Sequence, residues 1–149
     1  MSDCSKCSAG CGANTLKIEK TLIILKPDAV KKRVVGDIIS RFEDEVFLIE
    51  KMKMMAIDKE LADVHYSEHK QKPFFDQLIN YITSGNSVVM VASRPDAIKK
   101  ARQMMGPTDP TIAKKGTIRG DFGQDITTNV IHGSDSPQSA EKEIQLFFG

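Results

Sequence analysis

Tryptophan is absent from the 149-residue sequence and aromatic residues make up 6% of it. The predicted strands hold only Phe47, too little for a sheet that stacks nucleobases in the manner of an RNA-recognition module. Cysteine occurs three times, at Cys4, Cys7 and Cys11, all ahead of the first predicted strand, which excludes a disulfide framework in the folded body. Neither charge dominates: 21 basic against 20 acidic residues give a net charge of +1, which argues against a basic nucleic-acid binder. No apolar run approaches the roughly 18 residues of a membrane span; the longest are Thr21 to Leu25 and Val88 to Ala92. The first ten residues lack an apolar leader core, so a cytoplasmic location is expected. No GxxxxGK followed by Ser or Thr occurs, and Gly116, Gly120 and Gly123 are spaced GxxxGxxG, which removes a Walker-type phosphate loop. His65 and His69 stand four apart, but Tyr66 occupies the position where a metalloprotease helix needs Glu, so the pair reads as partly exposed helix surface.

What is present is a chain of one-domain length. Residues 1–15, rich in Ser, Gly, Cys and Ala without hydrophobic period, read as a flexible Cys-containing tail, and residues 16–149 as the domain. Thr21 to Leu25 fits a buried strand ending in a loop at Lys26, Pro27 and Asp28. Val35, Ile38, Ile39, Phe42 and Val46 recur at helical spacing. From Phe47 to Ile57 the pattern shortens toward two, Met52, Met54 and Ala56 alternating with Lys51, Lys53 and Met55, with methionine as a usable core filler. Asp58 caps a helix carrying Leu61, Val64 and His65; Pro73 opens another, carrying Phe74, Leu78, Ile79 and Ile82, which Gly85 closes. Ser87 to Ser93 reads as a central strand, followed by a helix with Ile98, Ala101 and Met105 inward that stops at Gly106. Residues 106–128 form a long segment of little apolar period, the kind usually kept for function. Asn129 to His132 reads as a short strand, and Ser136 with Pro137 opens a last helix through Phe148. Two βαβ units in this order predict a ferredoxin-like α/β sandwich, a four-stranded antiparallel sheet covered by helices; a flavodoxin-like sheet is the rival and would need more strands.

His132 ends its short strand and is followed by the small residues Gly133 and Ser134, which leave an imidazole accessible. Glu143, eleven residues on, can fold back to hold one ring nitrogen, leaving the other as a nucleophile; with an unperturbed pKa of about 6.5, imidazole is largely neutral near pH 7. Lys26, Arg102 and Arg119 come from separate segments and could converge on phosphates.

The stretch NVIHGSDS at residues 129–136 closely resembles the active-site signature of the nucleoside diphosphate kinases. The resemblance extends through TLIILKPDAV at 21–30, HY at 65–66, KPFF at 72–75, SG at 84–85, GTIRGDF at 116–122 and SAEKEI at 139–144, and covers about residues 19–148. It implies transfer of the γ-phosphoryl of a nucleoside triphosphate to a nucleoside diphosphate by a ping-pong route through a phosphohistidine on His132. It further implies that Lys26, Tyr66, Arg102, Thr108 and Arg119 hold phosphates and that Lys26 and Asn129 reach the ribose. Glu143 would orient the histidine with support from Ser134, and Phe74 and Ile126 would clamp the base by its faces. Mg²⁺ would ride on the nucleotide phosphates without direct side-chain ligands. A phosphatase that hydrolyses the phosphohistidine is the nearest rival; transfer to added diphosphate, set against phosphate release, separates the two.

Thr127 and Thr128 depart from the Gly and Arg common before the Asn, and Ser93, Arg94 and Pro95 replace a segment often containing Trp. The chain ends at Gly149, where longer members continue onto a neighbouring subunit, while Pro110 matches a loop proline of hexameric members; a homo-oligomer is expected, a hexamer ahead of a tetramer. Ordinary members lack the CxxCxxxC run. Its thiolates could provide three ligands of a metal site, but no fourth is identifiable, and a mobile reduced tail is the stronger reading. Deleting residues 1–15 is therefore expected to leave phosphoryl exchange and oligomer size unchanged, as measured by coupled assay and light scattering; loss of activity would show that the tail takes part.

Overall fold

The computed structural model describes residues 17–149, so the tail and its Cys4, Cys7 and Cys11 lie outside the described residues. In chain order the elements are β1 (Ile18–Leu25), α1 (Pro27–Lys31), α2 (Val35–Asp44), β2 (Leu48–Ala56), α3 (Lys59–His65), α4 (Phe75–Ile82), β3 (Asn86–Pro95), α5 (Ala97–Met105), α6 (Ile118–Phe122), β4 (Ile131–Gly133) and α7 (Pro137–Phe148). The sheet runs β2-β3-β1-β4 with every neighbouring pair antiparallel. Each central strand is thus inserted between the ends of the other's crossover unit, the ferredoxin-like arrangement expected from the element order.

The two central strands are apolar throughout their middles because both faces are covered. Ile23 and Leu25 of β1 with Val88, Met90 and Ala92 of β3 pack under α2 and α5, against Ile38, Phe42, Ala97, Ala101 and Met105. The alternate residues, Leu22, Ile24, Val89 and Val91, meet Ala62, Leu78, Ile79, Ile82 and Phe147 from α3, α4 and α7 on the other face. Fully burying one of these large side chains contributes about 1.5–3 kcal/mol. The helix starts are set locally. Asp58 accepts the Leu61 N–H at 2.8 Å, and Ser136 accepts that of Ser139 at 3.1 Å with Pro137 in the first turn. Gly106 ends α5 at a φ of 82°, where a side chain would meet Thr117 Oγ1 at 2.8 Å.

Several local expectations are corrected. Pro27 and Asp28 begin α1 instead of a loop, since Pro is favoured in a first helical turn. Val46 lies past the end of α2 at a φ of 69° and is exposed. Met52 and Met54 are more than half exposed because β2 is an edge strand that no helix among the described residues covers at those positions, and Val64 likewise faces outward from α3 while Ala62 is buried. Pro73 and Phe74 precede α4, which stops at Thr83 before Gly85. Residues 106–128 contain a 3-10 turn, Pro110–Ile112, and α6. The last strand begins at Ile131, because Val130 sits at a φ of 63° that breaks the extended run.

Candidate active site

Two short pieces of chain, the carboxyl end of β1 and the strand β4, are tied together before any catalytic side chain is considered. The Lys26 N–H donates to the Val130 carbonyl at 2.8 Å, and the Val130 N–H donates to Asp28 Oδ2 at 3.1 Å. The Tyr81 hydroxyl from α4 donates to the other oxygen of Asp28. A β-branched residue in the left-handed region costs about 1–3 kcal/mol. One bond to a charged acceptor, about 1.5–3 kcal/mol, with a backbone bond of about 0.5–1.5 kcal/mol, offsets it. Burial pushes the Asp28 carboxyl up, opposed by Lys26 and Lys32. Asp28, Tyr81 and Val130 are thus working parts that no motif reading singled out.

Beyond Val130, Ile131, His132 and Gly133 pair with Leu25, Ile24 and Ile23. The ring of His132 points its Nε2 at Glu143 Oε1 of α7, 3.2 Å away. The same oxygen accepts the Ser134 hydroxyl at 2.6 Å, and Ser134 Oγ in turn accepts the Leu22 N–H of β1 at 3.2 Å. A carboxylate only accepts, so Nε2 carries the proton and Nδ1, without a partner among the described residues, keeps its lone pair.

An open cleft of about 1160 Å³ lies before this ring, lined by Lys26, Tyr66, Phe74, Arg102, Thr108, Arg119, Ile126, Asn129, His132 and Glu143. Ser134 lies behind it, fully buried. All of the expected site residues within the described chain therefore gather at one place. Lys26 Nζ donates to Asn129 Oδ1 at 2.8 Å, and Asn129 Nδ2 donates to the Thr108 carbonyl at 3.0 Å. Arg119 is fastened to the carbonyls of Ile131 at 2.8 Å and Gly106 at 3.2 Å, and Arg102 to that of Gly133 at 3.3 Å. At the rim, Phe74 is 41% and Ile126 57% exposed; Asp125 accepts the N–H groups of Thr127 and Thr128, both at 2.8 Å, and so shapes the turn that carries Ile126.

Burial of the cations leaves its mark on their acidity. Desolvation first, then the Arg119 charge, brings Lys26 down to about 7 against a weaker opposing pull from Asp28. Desolvation and then Arg102 bring Arg119 down to about 10, which still leaves it charged at neutral pH. Burial, with the Glu143 charge, pushes the Tyr66 phenol up and keeps it a neutral donor. The side chain of His65 departs from the partly exposed helix surface expected of it. α3 ends at His65, His69 belongs to a following 3-10 turn, and the His65 side chain is 2% exposed. Burial, followed by the charges around His132, Lys26 and His69, holds it well below the ordinary histidine value.

The family model described as nucleoside diphosphate kinase matches residues 19–149. Nucleoside diphosphate kinases of Thermococcus kodakarensis and Carboxydothermus hydrogenoformans are 57% and 55% identical, covering 89% and 88% of this chain and 78% and 88% of theirs. Among solved structures, the Aquifex aeolicus nucleoside diphosphate kinase superposes with a TM-score of 0.87 at 43% identity, over 89% of this chain and 96% of that one. The Halobacterium salinarum enzyme in complex with CDP gives 0.87 at 47% identity, over 89% and 88%.

Between about 7 and the ordinary lysine value of 10.5, the folded protein holds fewer protons at Lys26 than the unfolded chain. This group's share of stability therefore rises with pH across that window. A polyanion docked beside Lys26 favours the ammonium, so binding of ADP at pH 8, where its phosphates are already ionised, is expected to take up protons. Calorimetry in buffers of different ionisation enthalpy measures it; a proton count of zero would mean that Lys26 is already charged in the free protein.

Proposed function

The chain belongs to the nucleoside diphosphate kinase family and transfers phosphoryl groups between nucleotides, and from the geometry above we propose that the group in transit is carried by His132. The observation that supports this is the pairing of His132 Nε2 with Glu143, which leaves the Nδ1 lone pair free on a cleft lined by cations. In the first half-reaction Nδ1 attacks the γ-phosphorus, the bond from that phosphorus to the β,γ-bridging oxygen breaks, and the electron pair leaves with the nucleoside diphosphate. Glu143 stabilises the positive charge that builds on the imidazole, with Ser134 holding the carboxylate in place. A second diphosphate reverses the step, its terminal oxygen attacking the phosphohistidine.

Lys26, Arg102 and Arg119 with the hydroxyls of Tyr66 and Thr108 hold the phosphates, Lys26 and Asn129 the ribose, and Phe74 and Ile126 the faces of the base. Arg119 and Arg102 are held by backbone carbonyls, which aim their charge without neutralising it. Among the described residues, the one converging set of possible metal ligands is His65, His132 and Glu143, two nitrogens and an oxygen that suit Mg²⁺ poorly. A cleft floored by cations fits Mg²⁺ carried by the nucleotide's own phosphates. Carried there, it would supply neutralisation of the phosphate charge alongside Lys26, Arg102 and Arg119.

The same reading takes residues 16–149 as the catalytic domain, acting in the cytoplasm, and assembled as a homo-oligomer, a hexamer ahead of a tetramer. Assembly is supported by the exposed edge strand β2, where Leu48, Met52 and Met54 are 65%, 53% and 56% exposed; an open apolar edge is a surface that proteins usually cover.

The deciding experiment is labelling with γ-³²P-ATP. His132→Ala is expected to lose both the protein-bound label and exchange with GDP while retaining the fold and nucleotide binding. Glu143→Gln is expected to lose less, because it orients the ring without forming the bond. Substantial exchange in His132→Ala would overturn the assignment.

A further inference from the structure

His65 has no task in the reaction just described, and its surroundings are unusual for an idle imidazole. The side chain is 2% exposed, yet neither ring nitrogen has a hydrogen-bond partner among the described residues, although unpaired buried polar atoms are costly. It stands edge-on to His132, with ring centroids 4.7 Å apart and planes at 80°, and its Nδ1 is 3.9 Å from Glu143 Oε2. His132 Nε2 is 3.2 Å from the other oxygen of the same carboxylate. One ligand atom from each of the three residues lies within 4.8 Å of the other two. We propose that His65, His132 and Glu143 form an inhibitory site for a nitrogen-preferring divalent cation, Zn²⁺ foremost, which locks His132 in the tautomer that cannot attack phosphorus.

The three side chains converge but have to close further on an ion. Tetrahedral Zn²⁺ with bonds of about 2.0–2.1 Å spaces its ligand atoms about 3.4 Å apart. His132 Nε2 is 3.2 Å from Glu143 Oε1 and His65 Nδ1 is 3.9 Å from the other oxygen, Oε2, and with one ligand atom per residue the set lies within 4.8 Å, so binding draws it together by about an ångström. All three residues line the cleft, so the fourth position faces a water or a phosphate oxygen, as in open zinc sites. Mg²⁺ does not compete for this donor set, because it prefers six oxygens.

The chemistry follows from proton placement. In the metal-free protein, Nε2 of His132 holds the proton shared with Glu143, and Nδ1 holds the lone pair. A Zn²⁺ bound at Nε2 takes the lone pair of that nitrogen, so the single proton of the neutral ring moves to Nδ1. No other bond is made or broken and no redox partner is needed. Nδ1 is then an N–H donor, unable to attack phosphorus. The inhibitory step rests on His132 as the phosphoryl carrier; the metal site itself does not.

The test uses the full chain carrying Cys4→Ser, Cys7→Ser and Cys11→Ser, so that tail thiols cannot chelate. Zn²⁺ titrated by calorimetry without nucleotide should bind at one equivalent. Long-range proton–nitrogen NMR should show the His132 proton moving from Nε2 to Nδ1 and the His65 nitrogens shifting with it, a readout that needs no variant at the site. His65→Leu should weaken binding by about tenfold or more. Protein labelling from γ-³²P-ATP, with Mg²⁺ in excess, should fall in step with occupancy and return on chelation. The absence of saturable binding, or binding that leaves both imidazole spectra unmoved, would overturn the site. Zinc on both imidazoles with undiminished labelling would overturn the inhibition. Metal-free labelling of His132→Ala tests the carrier reading separately, so that its failure is not mistaken for failure of the metal site.

Discussion

The pairing of β4 with β1 is the constraint on which the site depends. β4 is three residues long and has no face of its own large enough to fix it, whereas β1 is buried on both faces and cannot shift without disturbing two hydrophobic layers. The register Ile24 to His132 transfers that rigidity to the imidazole. Leu22 adds a second tie, its N–H donated to Ser134 Oγ and its carbonyl accepting from the Ser134 N–H at 3.2 Å. The ring is thus aimed from the centre of the sheet and its tautomer set by a carboxylate from α7. The left-handed Val130 is the local cost of turning the chain sharply into this short strand.

Electrostatics divides the cleft into a strained floor and a relaxed rim. Among the described residues, Lys26 and Arg119 are almost fully buried without a carboxylate partner on either ammonium or guanidinium; their side-chain bonds go to an amide oxygen and to carbonyls. Carbonyl dipoles compensate a buried cation only in part, which is why both groups are pushed toward their neutral forms. A polyphosphate supplies the missing countercharge where the dielectric is low, so the desolvation penalty stored in the free protein becomes a bias toward anionic ligands. Fixed positive charge aimed at developing oxyanion charge is the form of catalysis that phosphoryl transfer most needs.

Much of this was legible in the sequence, and the parts that were not share a cause. β1, β3 and α7 are readable because their own residues decide them: a short run of apolar and β-branched side chains for the strands, a Ser-Pro start for the helix. β2 shows a clear period of two, but whether Met52 and Met54 are covered depends on where the strand falls in the sheet order, which its own residues do not encode. α6 is five residues held by the Thr117 cap and by the bonds of Arg119 and not by an apolar stripe, so periodicity had nothing to register. His132 and Glu143 could be named from the signature stretch and the spacing that follows it, whereas Lys26, Arg102 and Arg119 come from separate segments and are assigned through the wider family resemblance, their convergence not being readable from spacing. The left-handed Val130 and the buried state of His65, unpartnered among the described residues, exist only once three separated segments are brought together, and HY at 65–66 carries no local sign of it.

The difference between floor and rim also bears on breadth of substrate. Strong discrimination between bases requires buried donors or acceptors that a wrong base would leave unpaired, since an unmet polar group is what makes misfit expensive. Phe74 and Ile126 are both well exposed and stand on turns. Water therefore reaches their surroundings and can satisfy whatever edge a base presents, while contact with the base face is available to purines and pyrimidines alike. On the proposed roles, affinity and alignment come from the triphosphate and ribose, features common to all nucleotides, held by a floor fixed to the sheet. On that proposal, the exposure that makes the clamp weak would also leave it without a preference among bases.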